Sequence, residues 1–96
     1  MAGYLIFEIE VTDPVAWQRY RDVAGPVMAA AGGTFLVASQ RVEALEGDWL
    51  PPSISVVRFD SFETARQFYH SAEYQNLLAL RLAASRGRGI LVDSPI

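Results

Sequence analysis

Few side chains in this sequence of 96 residues could carry out chemistry. The sequence contains a single histidine, His70, and neither cysteine nor lysine, because all eight basic residues are arginines. Thiolate nucleophiles, cysteine metal sites and Schiff-base lysines are therefore excluded. Histidine is the only residue type whose ordinary pKa lies near neutrality, so His70 is a candidate general acid or base.

His70 and Glu73 form a His-x-x-Glu spacing, which can place two metal ligands on one face of a helix. A catalytic metal site uses about three protein ligands, and the sequence offers no second histidine. We therefore expect no metal site and no bound cofactor, and we interpret His70 as a partly exposed residue at a junction between helices.

The stretch around His70, YHSAEYQNLL, interrupts a region of helical pattern. Ser71 stands where the N-cap of a second helical segment is expected, because a serine hydroxyl accepts a hydrogen bond from an unpaired amide. Tyr69 and Tyr74 lie where the helix faces turn toward the sheet. With Tyr20 and His70 they are the candidate residues of a ligand pocket; the alternative is that the tyrosines are core residues with tethered hydroxyls.

The hydrophobic pattern of the whole chain predicts the order β-α-β-β-α-β. This is the order of the α+β, ferredoxin-like fold, with a four-stranded antiparallel sheet and two helices on one face. We expect a single domain over residues 1–96. The predicted strands cover residues 4–11, 34–42, 54–59 and 89–93, and the predicted helical segments cover residues 14–31, 61–69 and 72–85.

The helix ends and one helix interior carry specific signals. Asp13 is the expected N-cap of the first helix, and Gly32-Gly33 is expected to end it with a positive φ. Gly25-Pro26 should kink or briefly break this helix, because proline removes a backbone donor. Asp60 with Glu63 resembles a capping box that opens the second helix.

The sheet face that the helices leave bare is not adapted to water. Tyr4 and Ile6 share this face with Glu8 and Arg58. An apolar face of this size predicts a partner, and two sheets packed face to face would form a homodimer. Trp49, in the loop after the second strand, is expected to contact the partner subunit; the alternative is that it closes over a pocket.

Glu8 and Arg58 fall on neighbouring central strands and on the same face by strand parity. We expect them to pair across the strands, and we interpret the pair as a salt bridge at the dimer interface. The alternative is that Glu8 lies in a closed cavity with a raised pKa and acts as a general base.

Composition and charge exclude several classes of protein. The net charge of −3 is spread along the chain, and no basic face with aromatic residues is present for nucleic acid. The locally basic stretch RLAASRGRG is interpreted as a solvated helix end. No apolar run approaches the roughly 20 residues that span a membrane, and the N-terminal stretch lacks the pattern of a signal peptide. We therefore expect a cytoplasmic protein.

Four segments, EVTDPVAWQRYRD, AAGGTFLV, LEGDW and FDSFETARQFYHSAEYQNLLALR, together resemble the signature segments of the DUF 1330 family, a domain of unknown function. The resemblance covers essentially the whole chain and implies a dimeric α+β barrel. It transfers no catalytic residues, because the wider group of such barrels includes cofactor-independent monooxygenases, haem-degrading enzymes, isomerases and decarboxylases. Some relatives with this fold bind haem through an axial histidine, so axial ligation of haem is an alternative role for His70.

Two functional hypotheses follow from the sequence. In the first, a pocket between sheet and helices binds or transforms a small organic metabolite without a cofactor. In the second, the chain is a non-catalytic dimeric module for binding or assembly. A cavity with convergent polar groups would favour the first hypothesis, and a filled core would favour the second.

Overall fold

The computed structural model describes all 96 residues and confirms the predicted α+β fold. Four strands form one sheet, and three helices lie on one of its faces. No helix has the length and hydrophobicity that crossing a membrane would require. The elements are β1 (Ala2–Val11), α1 (Pro14–Ala30), β2 (Thr34–Ser39), β3 (Ile54–Phe59), α2 (Phe62–His70), α3 (Ala72–Ala84) and β4 (Ser85–Ser94).

The sheet has the order β2-β3-β1-β4, with every neighbouring pair antiparallel. This is the ferredoxin-like arrangement, in which the first and third strands are central. Leu5 of β1 lies opposite Val57 on one side and Leu91 on the other. β2 is shorter than predicted, because pairing with β3 ends at Ser39.

β4 is longer than predicted, because it begins at Ser85 and not at residue 89. The additional residues pair with β1, and their side chains alternate. Arg86 and Arg88 point to the bare face, where they donate hydrogen bonds to Glu10 and Glu8. Between them lies Gly87, at which a Cβ would overlap the carbonyl group of Glu8. Most of the stretch RLAASRGRG is therefore strand, and its interpretation as a solvated helix end is wrong for these residues.

The core lies between the sheet and the helices. The residues of β1 alternate between this side and the bare face, so that Leu5, Phe7 and Ile9 are buried. The largest fully buried side chains are Tyr74, Phe59 and Val57. The buried apolar cluster draws on two strands and all three helices: Leu5, Phe7, Ile9, Tyr20, Ala24, Met28, Val57, Phe59, Ala65, Phe68 and Tyr74.

The first helix starts and ends as predicted but is not broken in the middle. The Asp13 side chain accepts a hydrogen bond from the Ala16 amide at 3.1 Å, and Gly32 adopts a φ of +94° after the helix. α1 continues through Pro26, so a break is wrong, while a kink at Gly25-Pro26 stays a prediction. Proline removes only one backbone donor, and Pro26 lies on the exposed side, where water can bind the carbonyl that loses its partner.

The second helix is capped by Ser61 and not by Asp60, which corrects the predicted capping box. The Ser61 hydroxyl accepts a hydrogen bond from the Thr64 amide at 3.0 Å. Ser61 has the extended backbone of an N-cap, and its hydroxyl satisfies one of the unpaired amides of the first turn. Asp60 lies one residue earlier and instead pairs with Arg58.

The predicted joint at Ser71 is confirmed. α2 ends at His70 and α3 begins at Ala72, with Ser71 in an extended conformation between them. The Ser71 hydroxyl accepts a hydrogen bond from the Tyr74 amide at 3.1 Å and donates one to the Phe68 carbonyl at 2.7 Å. The Ser71 side chain therefore caps both the C-terminal end of α2 and the N-terminal end of α3.

We predict that Ser71→Ala lowers the free energy of unfolding by about 1 kcal/mol, because the amide at the start of α3 loses its acceptor. Ser71→Thr is the matched control, since it keeps a hydroxyl that can both accept and donate, and it should retain most of the stability. Urea unfolding followed by circular dichroism measures the difference. Equal stability of the alanine and wild-type proteins would contradict the role of the cap.

Candidate functional site

A cavity of about 790 Å³ lies between α1 and the β2–β3 half of the sheet. It exists because α1 packs chiefly against α3 and leaves space over the sheet. Cavities of roughly 300–1,000 Å³ are the size that holds small-molecule ligands. Phe35 of the lining is 47% exposed, so this space is a cleft open to solvent on one side, and its size and polar lining fit the ligand-binding hypothesis.

The walls of the cavity are largely apolar. Phe7, Ile9 and Val57 form the floor on the sheet, and Trp17 of α1 lies at the side with its ring centre 5.2 Å from that of Tyr20. The polar lining comes from serine, glutamine, tyrosine and arginine side chains, which are Tyr20, Arg21, Ser39, Gln40, Arg41, Ser53, Ser55 and Arg81.

The charge of the lining differs from that of the protein. The chain has eleven acidic residues and eight arginines, yet the lining includes Arg21, Arg41 and Arg81 and no aspartate or glutamate. Arg21 and Arg41 are exposed, whereas Arg81 is buried. The cavity is therefore electropositive in a protein whose net charge is negative.

Two buried tyrosines meet beside this cavity. The hydroxyl oxygens of Tyr20 and Tyr74 are 2.9 Å apart and share one hydrogen bond between α1 and α3. Burial raises the pKa of both phenols above their ordinary value of 10.0. Both therefore stay protonated at neutral pH and act as hydrogen-bonding groups rather than as bases.

Arg81 is the least expected residue of the site. Its side chain is 9% exposed, and its Nη1 atom has no hydrogen-bond partner. The guanidinium carbon lies 4.6 Å from the centre of the Phe7 ring, in a cation–π contact. Arg81 and Phe7 both line the large cavity and a second, smaller one. They therefore stand between the two cavities.

The smaller cavity, of about 210 Å³, lies on the β4 side of the sheet. Tyr69 and His70 line it, and their rings meet edge to face with centres 5.2 Å apart. Tyr20 lines the large cavity, and Tyr74 lines neither of the two. The four candidate pocket residues are therefore divided between two cavities and the core rather than gathered around one pocket.

His70 is exposed, and so is Glu73. No group of three or more histidine, aspartate or glutamate side chains is arranged to hold a metal ion. His70 is the last residue of α2, directly before the joint at Ser71.

Glu8 pairs with Arg88, and the predicted pair with Arg58 is wrong. Arg88 Nε donates to Glu8 Oε2 at 2.5 Å, and Trp49 Nε1 donates to Oε1 at 3.3 Å. Glu8 and Arg58 do share a face, but the register places Glu8 opposite Ile54 and puts Arg58 four residues away, about 13 Å along the strand.

The partners of Glu8 also affect its acidity. The hydrogen bond from Arg88 lowers the pKa of Glu8 below its usual value of 4.5. A general base that works at neutral pH needs the opposite shift. The geometry therefore favours an ion pair on the bare face of the sheet, with the Trp49 loop folded back onto it.

Residues 2–95 match the sequence profile of DUF1330, a domain of unknown function. The chain belongs to the DUF1330 family. No curated protein matches the sequence significantly. The family carries no established reaction, so membership alone assigns no chemistry to the cavity.

Solved structures share the fold of this DUF1330 protein. RPA0582, a protein of unknown function from Rhodopseudomonas palustris, is 17% identical with a TM-score of 0.77, over 99% of this chain and 83% of that one. SnoaB, a cofactor-independent oxygenase from Streptomyces nogalater, is 10% identical with a TM-score of 0.70, over 99% and 94%. A putative antibiotic biosynthesis monooxygenase from Nitrosomonas europaea is 9% identical with a TM-score of 0.57, over 98% and 90%.

Sequence reasoning missed Arg81, although a signal was present. Arg81 follows Tyr74 by seven residues, which is two helical turns, and Leu77 and Leu78 lie between them on the same side of α3. A single arginine in the apolar stripe of an amphipathic helix is unusual, because arginine is rarely buried without a partner. The local run of arginines hid this signal by suggesting a solvated helix end.

We predict that Glu8→Gln lowers the melting temperature at neutral pH, because it removes the carboxylate that Arg88 binds. Since the pKa of Glu8 is lowered in the folded state, its contribution is fully present above pH ~4.5 and is lost as the pH falls through the lowered value. The difference between the two proteins should therefore shrink in acid. Thermal melts across the acidic range measure it.

The control for this experiment is Glu46→Gln, in the exposed loop after β2 and outside the three ion pairs. It should leave the melting temperature unchanged at each pH. Identical melting of Glu8→Gln and wild type at neutral pH would show that the Glu8–Arg88 pair does not stabilise the fold.

Proposed function

We propose that this protein binds a small organic molecule in the large cavity, without a bound cofactor, and that it does so as a homodimer. The cavity of about 790 Å³ is the observation that carries the proposal. It combines apolar walls with a few polar groups that point to the same space, which is the usual composition of a ligand site.

In its enzymatic version, the proposal is that the protein converts a substrate that is reactive by itself and needs no base from the protein. The lining contains no carboxylate and no histidine, and the Tyr20–Tyr74 pair stays neutral because burial raises the pKa of both phenols. The cavity therefore supplies cations and hydrogen-bond donors but no base for neutral pH. SnoaB, which has the same fold, is a cofactor-independent oxygenase, so this type of chemistry fits the fold.

The shape of the chain supports the homodimer. Its Cα positions extend over 32 × 32 × 16 Å, so two copies stacked on the bare sheet face would form a body of about equal dimensions. The accessible surface of 6315 Å² exceeds the roughly 5,500 Å² of a compact monomer of this mass. The chain therefore exposes more surface than a compact monomer of its size.

The composition of the bare face supports the same partner. Ile6 lies opposite Val56 on one side and Ile90 on the other, and Ile90 is 61% exposed. The charged groups on this face already form ion pairs within the chain, namely Glu8 with Arg88, Glu10 with Arg86, and Arg58 with Asp60. A second copy would therefore cover apolar surface without leaving an unpaired charge.

The two tryptophans provide a test of ligand binding, because Trp17 lines the cavity and Trp49 lies on the opposite face at Glu8. We predict that some members of a panel of small organic acids, alcohols and amides shift the indole N–H resonance of Trp17 and leave that of Trp49 unchanged. Two-dimensional NMR of the ¹⁵N-labelled protein measures both signals in one spectrum.

Ala38→Phe should weaken these shifts, since Ala38 lies on the cavity side of β2 and a phenyl ring there occupies part of the space. Leu82→Phe, on the exposed surface of α3, is the matched control and should bind as wild type does. If no compound shifts Trp17 selectively, ligand binding is refuted and the chain is better described as a non-catalytic assembly module.

We predict that light scattering at micromolar concentration gives twice the chain mass of 10.6 kDa. Ile90→Lys should give a folded monomer, because a charge would be buried in the interface. Leu82→Lys is the matched control, since Leu82 is 62% exposed on a helix. A wild-type monomer, or a dimer broken by Leu82→Lys and not by Ile90→Lys, would refute an interface between the sheets.

A further inference from the structure

We propose that the ligand of the large cavity is an organic anion, with a carboxylate or an equivalent group of oxygens, and that Arg81 recognises it. The inference deepens the proposed function and rests on it. Its starting point is a buried arginine that has no partner within the protein, in a cavity whose lining contains no acidic residue.

The surroundings of Arg81 explain why a partner is expected. The three ion pairs of the structure are all between other residues, on the bare face or at its edge. An unpaired hydrogen-bond donor in a protein interior is costly, and more so when it is charged. Arginines that are buried for structural reasons are normally paired, so a missing partner at a cavity indicates a group supplied by the ligand.

The position of Arg81 suits recognition of a planar anion. The side chain extends from α3, and the Phe7 ring lies 4.6 Å from the guanidinium carbon. Contact with the ring and burial between the two cavities limit the orientations of the guanidinium before any ligand binds. A guanidinium held in this way can form two parallel hydrogen bonds to a carboxylate, which a lysine could not do.

The tyrosine pair supplies a second donor. Each phenol has one proton, and the single hydrogen bond between Tyr20 and Tyr74 uses only one of the two. Tyr74 is fully buried and lines neither cavity, so its proton is satisfied only if it is donated to Tyr20. The remaining proton then belongs to Tyr20, which lines the cavity and can donate it to an oxygen of the ligand.

The rest of the lining defines the class of ligand more closely. Exposed Arg21 and Arg41 also belong to the lining, and positive charge at an entrance attracts anions. Trp17, Ile9 and Phe35 offer an apolar surface much larger than a carboxylate needs. We therefore infer an acid with an aromatic or aliphatic body, rather than an inorganic anion or a highly charged phosphate ester.

The test compares 2-naphthoate with its neutral amide, 2-naphthamide, which has the same shape without the charge. Both are titrated while the Trp17 indole signal is followed, with Trp49 as the internal reference. Wild type should bind the carboxylate at least about ten-fold more tightly, the ratio expected for one charge-assisted hydrogen bond. Arg81→Met, which keeps the apolar stem, should bind both compounds alike.

A matched control and the stability of the variant distinguish recognition from a structural role. Arg66→Met removes an exposed arginine of α2 that lines neither cavity and should keep the preference. Arg81→Met should melt no lower than wild type, because it removes an unpaired buried charge. If Arg81 only stabilises the C-terminal end of the α3 helix dipole, Arg81→Met should lower the melting temperature and leave the preference for the carboxylate unchanged. That result would overturn the inference.

The remaining outcomes are also decisive. If wild type binds 2-naphthoate and 2-naphthamide equally in the cavity, the anion inference is refuted and the proposed binding function stands. This comparison needs no variant, so it is valid even if Arg81→Met does not fold. If neither compound shifts Trp17, the panel of acids, alcohols and amides decides. Selective shifts by its alcohols and amides but not by its acids refute the inference and leave the binding function standing, and no shift by any compound refutes both.

Discussion

The packing of α1 against α3 is the constraint on which the interior of this protein depends. Tyr20 and Tyr74 join the two helices by a hydrogen bond of 2.9 Å inside the core, and the Phe68 ring supports Tyr74 with a centre-to-centre distance of 5.0 Å. α3 reaches this position because the chain turns at Ser71, where one hydroxyl satisfies both helix ends. Because α1 packs against α3, the opposite side of α1 faces β2 and β3 across open space. The cavity is therefore a consequence of how the helices pack.

The sheet separates two surfaces that differ in chemistry. On the inner side Phe7 contributes to the core and to both cavities, while on the outer side Ile6 belongs to an exposed apolar face. The alternation of side chains along β1 assigns neighbouring residues to opposite faces, so a ligand and a partner subunit can be accommodated without competing. The outer charges are paired, as in Glu8 with Arg88, whereas the inner Arg81 has no acidic partner. This contrast is why the inner side is the better candidate for recognition.

Features encoded by neighbouring residues could be predicted from the sequence, and features that depend on distant residues could not. The cap at Ser71, the positive φ at Gly32 and the alternation of β1 each involve a few consecutive positions, and the structure confirms them. The partner of Glu8 depends on the register of β1 with β3 and β4, which parity alone does not determine. The burial of Arg81 depends on where α3 lies over the sheet. Pro26 shows a third case, in which tertiary packing keeps a helix continuous despite an unfavourable local signal.

The most direct test of the central claim is a crystal structure of the protein with 4-bromobenzoate, in which anomalous scattering locates the bromine atom independently of the refined structure. We expect a bromine peak inside the cavity beside α1 and a carboxylate oxygen about 2.9 Å from a guanidinium nitrogen of Arg81. A bromine peak only outside the cavity would contradict recognition by Arg81, and so would a ligand inside it whose carboxylate points away from Arg81.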